Sequence, residues 1–450
     1  MAGFIDTIKN IWGIKELRFK LLYTLGLLLI YRIGTFVILP GINPNQLSQL
    51  AHSGSSGIMG IFNMFAGGAF SRASVFALGI MPYISASIVM QLLTIAVPYF
   101  QKLQKEGESG RKKINQYTRY GTVLVTLLQA SAYVKYLQFL TGNSILISPI
   151  MFWASTTIIL TGGTIFVMWL GERIQESGIG NGTSLIIMAG IIATLPGSLY
   201  QEVSMKLGRG GAGLLMIVLE FLALSVIIIA TIALIQAVRK VPITRAKKII
   251  GNTPVAGDRD FLPLKVNIAG VMPIIFAQAF LFIPATVLQF FPNVDSGLVA
   301  KFSDYTSLPY TLLMFILVVL FTYFYTALIV NPSQISDDLK RNNGFIPGVK
   351  PGVDTTEYID SITSKITLPG AVFLGIIAIL PTFARLGGVN SQFAVFFGGT
   401  SLLIMIAVVL DTVQQVESHL LNRHYDSLTK SGTRTRFKSS SSSSVSSVNQ

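Results

Sequence analysis

The chain has 450 residues, of which 51% are hydrophobic and only 12% charged, about half the charged share of a soluble domain. Its formal net charge is +14 and it carries no cysteine. Those figures exclude an ordinary water-soluble domain, a disulfide framework and a thiolate metal site.

The start, GFIDTIKNIWGIKELRFKLL, reads as an interfacial helix leading into a first span, not as a cleavable signal. Apolar stretches at 21–39, 74–98, 120–140, 149–170, 183–196, 213–238, 268–291, 309–330, 366–384 and 394–413 are ten candidate spans. Crossing the hydrocarbon takes about 20 apolar residues, and most of them qualify. The second carries Pro82, Ser85, Ser87 and Gln91, which suit a wall of a pathway better than a lipid-bathed anchor. The run GIMGIFNMFAGG at 57–68 is too short to span and reads as re-entrant or interfacial. The fifth stretch is short and opens in glycines, GIGNG. Residues 431–450, SGTRTRFKSSSSSSVSSVNQ, lack the apolar content to fold and read as a disordered tail, within a tail region drawn from 426 to 450.

Charge fixes an orientation. Of the 34 Lys and Arg, 27 fall in the termini and the loops after even-numbered stretches, and 5 on the other face. The positive-inside rule then puts both termini in the cytoplasm, and the basic loops also suit anionic lipid. The Pro196–Gly213 linker divides five spans from five, so the halves, 1–200 and 201–425, are inverted repeats with the working site between them. The expected fold is an all-α polytopic membrane protein of ten transmembrane helices.

Enzyme chemistry finds no purchase. His52, His419 and His424 lie outside the stretches, and neither an H-E-x-x-H nor a P-loop is present. Acidic residues within the spans reduce to Glu220 and, at a span end, Asp411, which read as paired at a helix interface or at the membrane surface. Two transport readings stay open on the residues alone. A solute transporter suits the inverted halves and glycine-broken helices. A polypeptide channel suits the scarcity of intramembrane charge and the long loops 239–265 and 332–365, which are sized for a large partner.

Seven segments, in order, decide between them: FNMFAGGAFSRAS, LGIMPYISASIVMQLL, KEGESGRKKINQYTRYGT, ESGIGNGTSLIIMAGI, PLKVNIAGVMPIIFA, GFIPGVKPG with TTEYID, and FGGTSLLIMIAVVLD. They resemble the SecY family, channel subunits of the bacterial protein translocase, over residues 1–425. The resemblance implies an hourglass channel in the inner membrane that passes unfolded secretory chains and opens sideways to lipid. It implies no cofactor, no nucleotide hydrolysis by the chain itself, and partners SecE, SecG, the SecA motor, the ribosome with its RNA and proteins, signal sequences and nascent chains.

It also implies residue roles. Ile61, Phe62, Asn63, Met64 and Phe65 match a short plug helix. Ile80, Ile84, Ile187, Ile191, Ile275 and Ile404 match a pore ring. A collar of such stiff apolar side chains dewets when empty. Ser85, Ser87, Gln91, Gln129 and Gln278 lie in spans that match a lateral gate. Arg239, Lys240, Arg245, Lys247, Lys248, Lys340, Arg341 and Lys350 match partner-docking loops. The chain departs from the family at PGVKPG, where Lys350 replaces the usual arginine and cannot offer its planar fork, and in the first loop, which lacks a Gln-Ser segment before PLKVN.

The charge asymmetry predicts that a reporter active only outside the cytoplasm is active when fused after Gly142 or Asp295. It is silent when fused after Gly107, Gly251 or Gly344. Activity at any of the last three sites contradicts the ten-span layout.

Overall fold

A chain in hydrocarbon has to close its own backbone hydrogen bonds, and this one does so mainly in helices. The computed structural model describes residues 12–42, 63–141, 148–208, 211–245, 248–250, 253–255, 259–288 and 307–441. In the first half lie α1 (Lys15–Gly34), α2 (Met81–Ala96), α3 (Pro98–Lys105), α4 (Glu108–Thr141), α5 (Pro149–Ser177) and α6 (Gly182–Leu207). The second half has α7 (Gly211–Gln236), α8 (Met272–Leu288), α9 (Leu308–Ile329), α10 (Pro332–Arg341), α11 (Val353–Leu386), α12 (Ser391–Ala394) and α13 (Gly399–Ser441).

Each half forms a bundle. α2 packs on α4, α4 on α5, and α5 on α6; α8 packs on α9, α9 on α11, and α11 on α13. The bundles meet where α6 lies against α13 and α7. The start of α6 is set by local chemistry. Asn181 Oδ1 accepts from Thr183 N at 3.2 Å, a helix cap. Gly182 follows because a Cβ there would stand 1.9 Å from Gly171 O of α5. At the basic end of the first bundle, Arg119 of α4 makes two hydrogen bonds to Glu172 of α5, at 2.9 and 2.8 Å.

Among the described residues, six helices are long and apolar enough to cross a membrane, or seven if the pair α2 and α3, bent by 96°, counts as one span. The most hydropathic window, in Gly213–Gln236, is only 11% buried, so α7 sits at the periphery. Three expected spans fall short: α8 because its apolar helix, at Met272–Leu281, is short, and two others through their charges. α1 spends its opening turns on Lys15, Glu16, Arg18 and Lys20, and its apolar stretch leaves the helix after Gly34. α4 opens on a charged run and carries Lys135 near its end.

Several expected boundaries are corrected. The stretch 74–98 is not one helix: the chain turns through residues 74–80, and Pro82 occupies the first turn of α2, where no N–H is lost. The linker expected from Pro196 is helical to Leu207, with Pro196 inside α6, a kink that neighbouring helices can support. The loop 332–365 is mostly α10 and the start of α11. The backbone of α13 stays helical to Ser441, beyond the residue at which a disordered tail was expected to begin; extending a formed helix costs far less than nucleating one. Residues 1–11, which include the start of the expected interfacial helix, lie outside the described residues.

The first long loop folds as strands: β1 (Val238–Arg245), β2 (Lys248–Ile250), β3 (Thr253–Val255) and β4 (Arg259–Lys265), with β5 (Gly344–Phe345) from the second loop. The sheet order is β4-β1-β5, all antiparallel. The pairing of Arg245 with Gly344 joins the two loops into one body on the basic face.

Candidate functional site

The six matched isoleucines come together. Ile80 caps α2 and Ile84 lies in its first turn; Ile187 and Ile191 are on α6, Ile275 on α8 and Ile404 on α13. Five are buried members of one apolar cluster, and Ile84, half-buried, packs against it. Both halves contribute, so the cluster closes the space between them.

Cavities of mixed polar and apolar lining lie on either side of it. One cavity of about 270 Å³ is lined by Asn63, Ser71, Arg72, Thr194, Gln201 and Gln392, among others. A second, also about 270 Å³, is lined by Asn181, Ser184, Lys265, Asn267, Asp411 and Gln414, among others. Along α6 the second cavity touches Ser184 and the first begins at Ala193, with Ile187 and Ile191 between. At 1.5 Å per residue those nine residues span roughly 13 Å. Along the chain into α13 the first cavity touches Phe396 and the second begins at Ala407, with Ile404 between. The two cavities thus lie to either side of the isoleucine-bearing stretch, both along α6 and along the chain into α13.

A compact segment borders both the isoleucine cluster and the first cavity. Asn63 Oδ1 accepts from Ser71 N at 2.9 Å, closing a loop whose Gly67 and Gly68 have φ of +64° and +82°. Met64 and Phe65 are buried in the isoleucine cluster, alongside Phe393, Phe396 and Phe397. Arg32 and Arg72 both donate to Gly67 O, at 2.7 and 3.1 Å, and both guanidinium groups lie over the Phe36 ring. Burial lowers the Arg72 pKa, and the neighbouring charge of Arg32 adds to that. Gly190, between Ile187 and Ile191, seats the segment: a Cβ there would stand 2.5 Å from Phe65 O. Gly190, Arg72 and Phe36 were not singled out from sequence. Only the placement of Gly190 between two collar positions hinted at its role. Ile61 and Phe62 lie outside the described residues.

The other expected sites divide. Gln91 of α2 accepts a hydrogen bond from Tyr325 OH of α9, and its Nε2 donates to Ser87 Oγ at 3.4 Å. Ile88 packs into the adjoining cluster of Ala269, Phe276 and Tyr325. These contacts form a seam between the halves, to which sequence reasoning had not assigned Tyr325. Gln278 instead donates to Thr400 Oγ1 at 2.7 Å, joining α8 to α13 within the second half. Gln129 Oε1, on α4, is buried with no hydrogen-bond partner, and Ser85 is half-buried. Glu220, expected to be paired at a helix interface, is ion-paired with Lys206.

Of the basic loop residues, Arg239 and Lys240 are exposed on β1, Lys340 and Arg341 at the end of α10, and Lys350 in the turn between Gly348 and Gly352. The backbones of Arg245 and Lys248 lie in β1 and β2, while Lys247 lies outside the described residues.

Comparison with known proteins bears on the family and the fold. The family model for SecY matches residues 74–413. The chain is 41% identical over 426 residues to "Protein translocase subunit SecY" of Vibrio cholerae, covering 93% of this chain and 95% of that one. Among solved structures, "The structure of a protein conducting channel" superposes with a TM-score of 0.60 at 17% identity, covering 89% of this chain and 91% of that one. "Sec61 in the Canine ribosome-channel complex from the endoplasmic reticulum" gives 0.57 at 15% identity over the same shares.

The close approach at Gly190 makes a prediction independent of function. The chain has no cysteine, so a buried Ala66→Cys reports alone. In a Gly190→Ala background this thiol reacts several-fold faster with a water-soluble maleimide, because the added methyl displaces residues 65–67. An unchanged rate contradicts the seating role.

Proposed function

The chain belongs to the SecY family, and from that premise we propose how its residues perform the work of a protein-translocase channel. It is a multi-pass membrane protein, and unfolded polypeptide passes between its two halves. The isoleucine collar is the constriction. The segment around Asn63, Met64 and Phe65, with Ile61 and Phe62, is the plug. The observation that carries this reading is the apolar cluster shared by both halves, with a cavity on each side along α6 and α13.

A stiff apolar collar performs two tasks. Empty, it excludes water and therefore ions. Occupied, it contacts any side chain without a preferred hydrogen bond, which suits a path that must accept every sequence. The seam of α2 against α8 and α9 is the lateral gate, where Gln91–Tyr325 is its polar contact. Polar contacts between membrane helices average only about 0.6 kcal/mol. A gate held by one of these parts readily when an apolar signal segment offers its own surface.

The remaining assignments complete the proposal. The chain crosses the bacterial inner membrane ten times, with α1 and α4 as spans despite their charges and both termini on the basic, cytoplasmic face. The joined loops, with Arg239, Lys240, Lys340, Arg341 and Lys350, dock the SecA motor and the ribosome. A lysine at 350 gives that contact a point charge in place of a bidentate fork. SecE and SecG cover lipid-facing helices, anionic lipids meet the basic face, and the chain does not itself hydrolyse nucleotide.

The constriction is tested by replacing Ile84 and Ile275 with asparagine. A polar group shut away in a packed core costs about 1–3 kcal/mol, but one beside a cavity finds water. The double variant therefore inserts at normal levels and conducts small ions in bilayers without substrate. Wild-type tightness at normal expression contradicts the assignment.

A further inference from the structure

Three charged side chains are buried together where the two halves join. Glu202 and Lys206, near the end of α6, are each 2% exposed, and Glu220 of α7 is 7% exposed. Lys206 Nζ lies 2.8 Å from Glu202 Oε1 and is ion-paired with Glu220 as well. Two carboxylates around one ammonium leave a net negative charge in the interior. Buried charge is tolerated only where each ionised atom has a partner.

The second oxygen of Glu202 does something different. Its Oε2 accepts from the backbone N–H of Asn390 at 2.8 Å. Asn390 is the cap of α12, its Oδ1 accepting from Gln392 N at 3.2 Å. That turn leads through α12 to Phe393, Phe396 and Phe397, which are buried against the collar and against Met64 and Phe65. The next turn is fixed by Ser401 Oγ, which donates to Val395 O at 2.6 Å. One carboxylate thus links the end of the first half to the turn that supplies three aromatic walls of the seal.

The position also fits the motion a channel needs. Neither Glu202 nor Asn390 takes part in the Gln91–Tyr325 seam.

We propose that Glu202 is a positioning residue of the channel seal. Held by Lys206, it fixes the Asn390 N–H and through it the residue 390–397 turn that presses the three phenylalanines onto collar and plug. This rests on the constriction reading given above.

The test separates the hydrogen bond from the charge. Glu202→Gln keeps a carbonyl acceptor and removes one of two buried negative charges. Glu202→Met keeps the volume and removes the acceptor. Asn390→Pro removes the N–H from the other side together with the cap on Gln392, at a residue whose φ of −58° proline accepts; Asn390→Ala, which removes the cap alone and stays at the wild-type level, is its control. Resting ion conductance is measured for each in bilayers, beside wild type and the Ile84→Asn, Ile275→Asn channel. Glu202→Met and Asn390→Pro conduct about tenfold more than wild type, the ratio expected for one lost hydrogen bond to a charged group. Glu202→Gln stays at the wild-type level. If Glu202→Met fails to accumulate in the membrane, Asn390→Pro carries the comparison. Wild-type tightness in Glu202→Met or Asn390→Pro at normal levels overturns the proposal, as does a Glu202→Gln channel that leaks as much as Glu202→Met. If those variants are tight while the double asparagine channel leaks, only the positioning role fails. If the double asparagine channel is tight too, the constriction itself is misplaced.

Discussion

Ile80, Ile84, Ile187 and Ile191 arrive from the first half of the chain, Ile275 and Ile404 from the second, and the cluster they share is dry because the halves press together around it. Exposing a fully buried isoleucine to water costs about 1.5–3 kcal/mol, so wetting the whole collar costs on the order of 10 kcal/mol. Thermal motion does not supply that, and the channel rests closed. On the proposed reading, an apolar polypeptide segment entering between the halves replaces much of the lost contact, so the same collar opens for its substrate while staying shut to ions.

Around that collar the chain places contacts of graded strength. At the join of the halves, two carboxylates are buried around one ammonium, so losing the ammonium strands both. On the first-cavity side, two guanidinium groups converge on a single carbonyl of the 63–72 segment. That segment is also held by the buried Met64 and Phe65 side chains and by its close approach to Gly190. At the seam, one tyrosine–glutamine bond and a small aromatic cluster join the halves.

Much of this was legible in the residues, by different routes. Hydropathy alone located α7 and α9, whose windows are long and nearly uncharged. It misjudged α6, because Pro196 reads as a stop in sequence, yet a packed helix carries it as an interior residue. The isoleucines were visible only through resemblance, since an isoleucine facing a pore and one facing lipid look alike in a sequence. Glu220 was read as paired, but its partner Lys206 sat in what looked like a polar linker. Tyr325 and Gly190 were missed because their roles depend on a neighbour far away in the chain: Gln91 for one, the backbone of Phe65 for the other. Gln278 shows the reverse error, a polar residue on a gate-matching helix that turns inward to Thr400.

The claim that the halves part along α2, α8 and α9 while staying joined at α6 and α7 is tested most directly by tethering the seam. With no native cysteine, Gln91→Cys and Tyr325→Cys can be linked by a short bifunctional maleimide, and insertion of a transmembrane segment into lipid can be followed in reconstituted vesicles. The account predicts that the linked channel fails to release the segment, while the unlinked double variant releases it. Release at the unlinked rate from a fully tethered channel would show that the exit lies elsewhere.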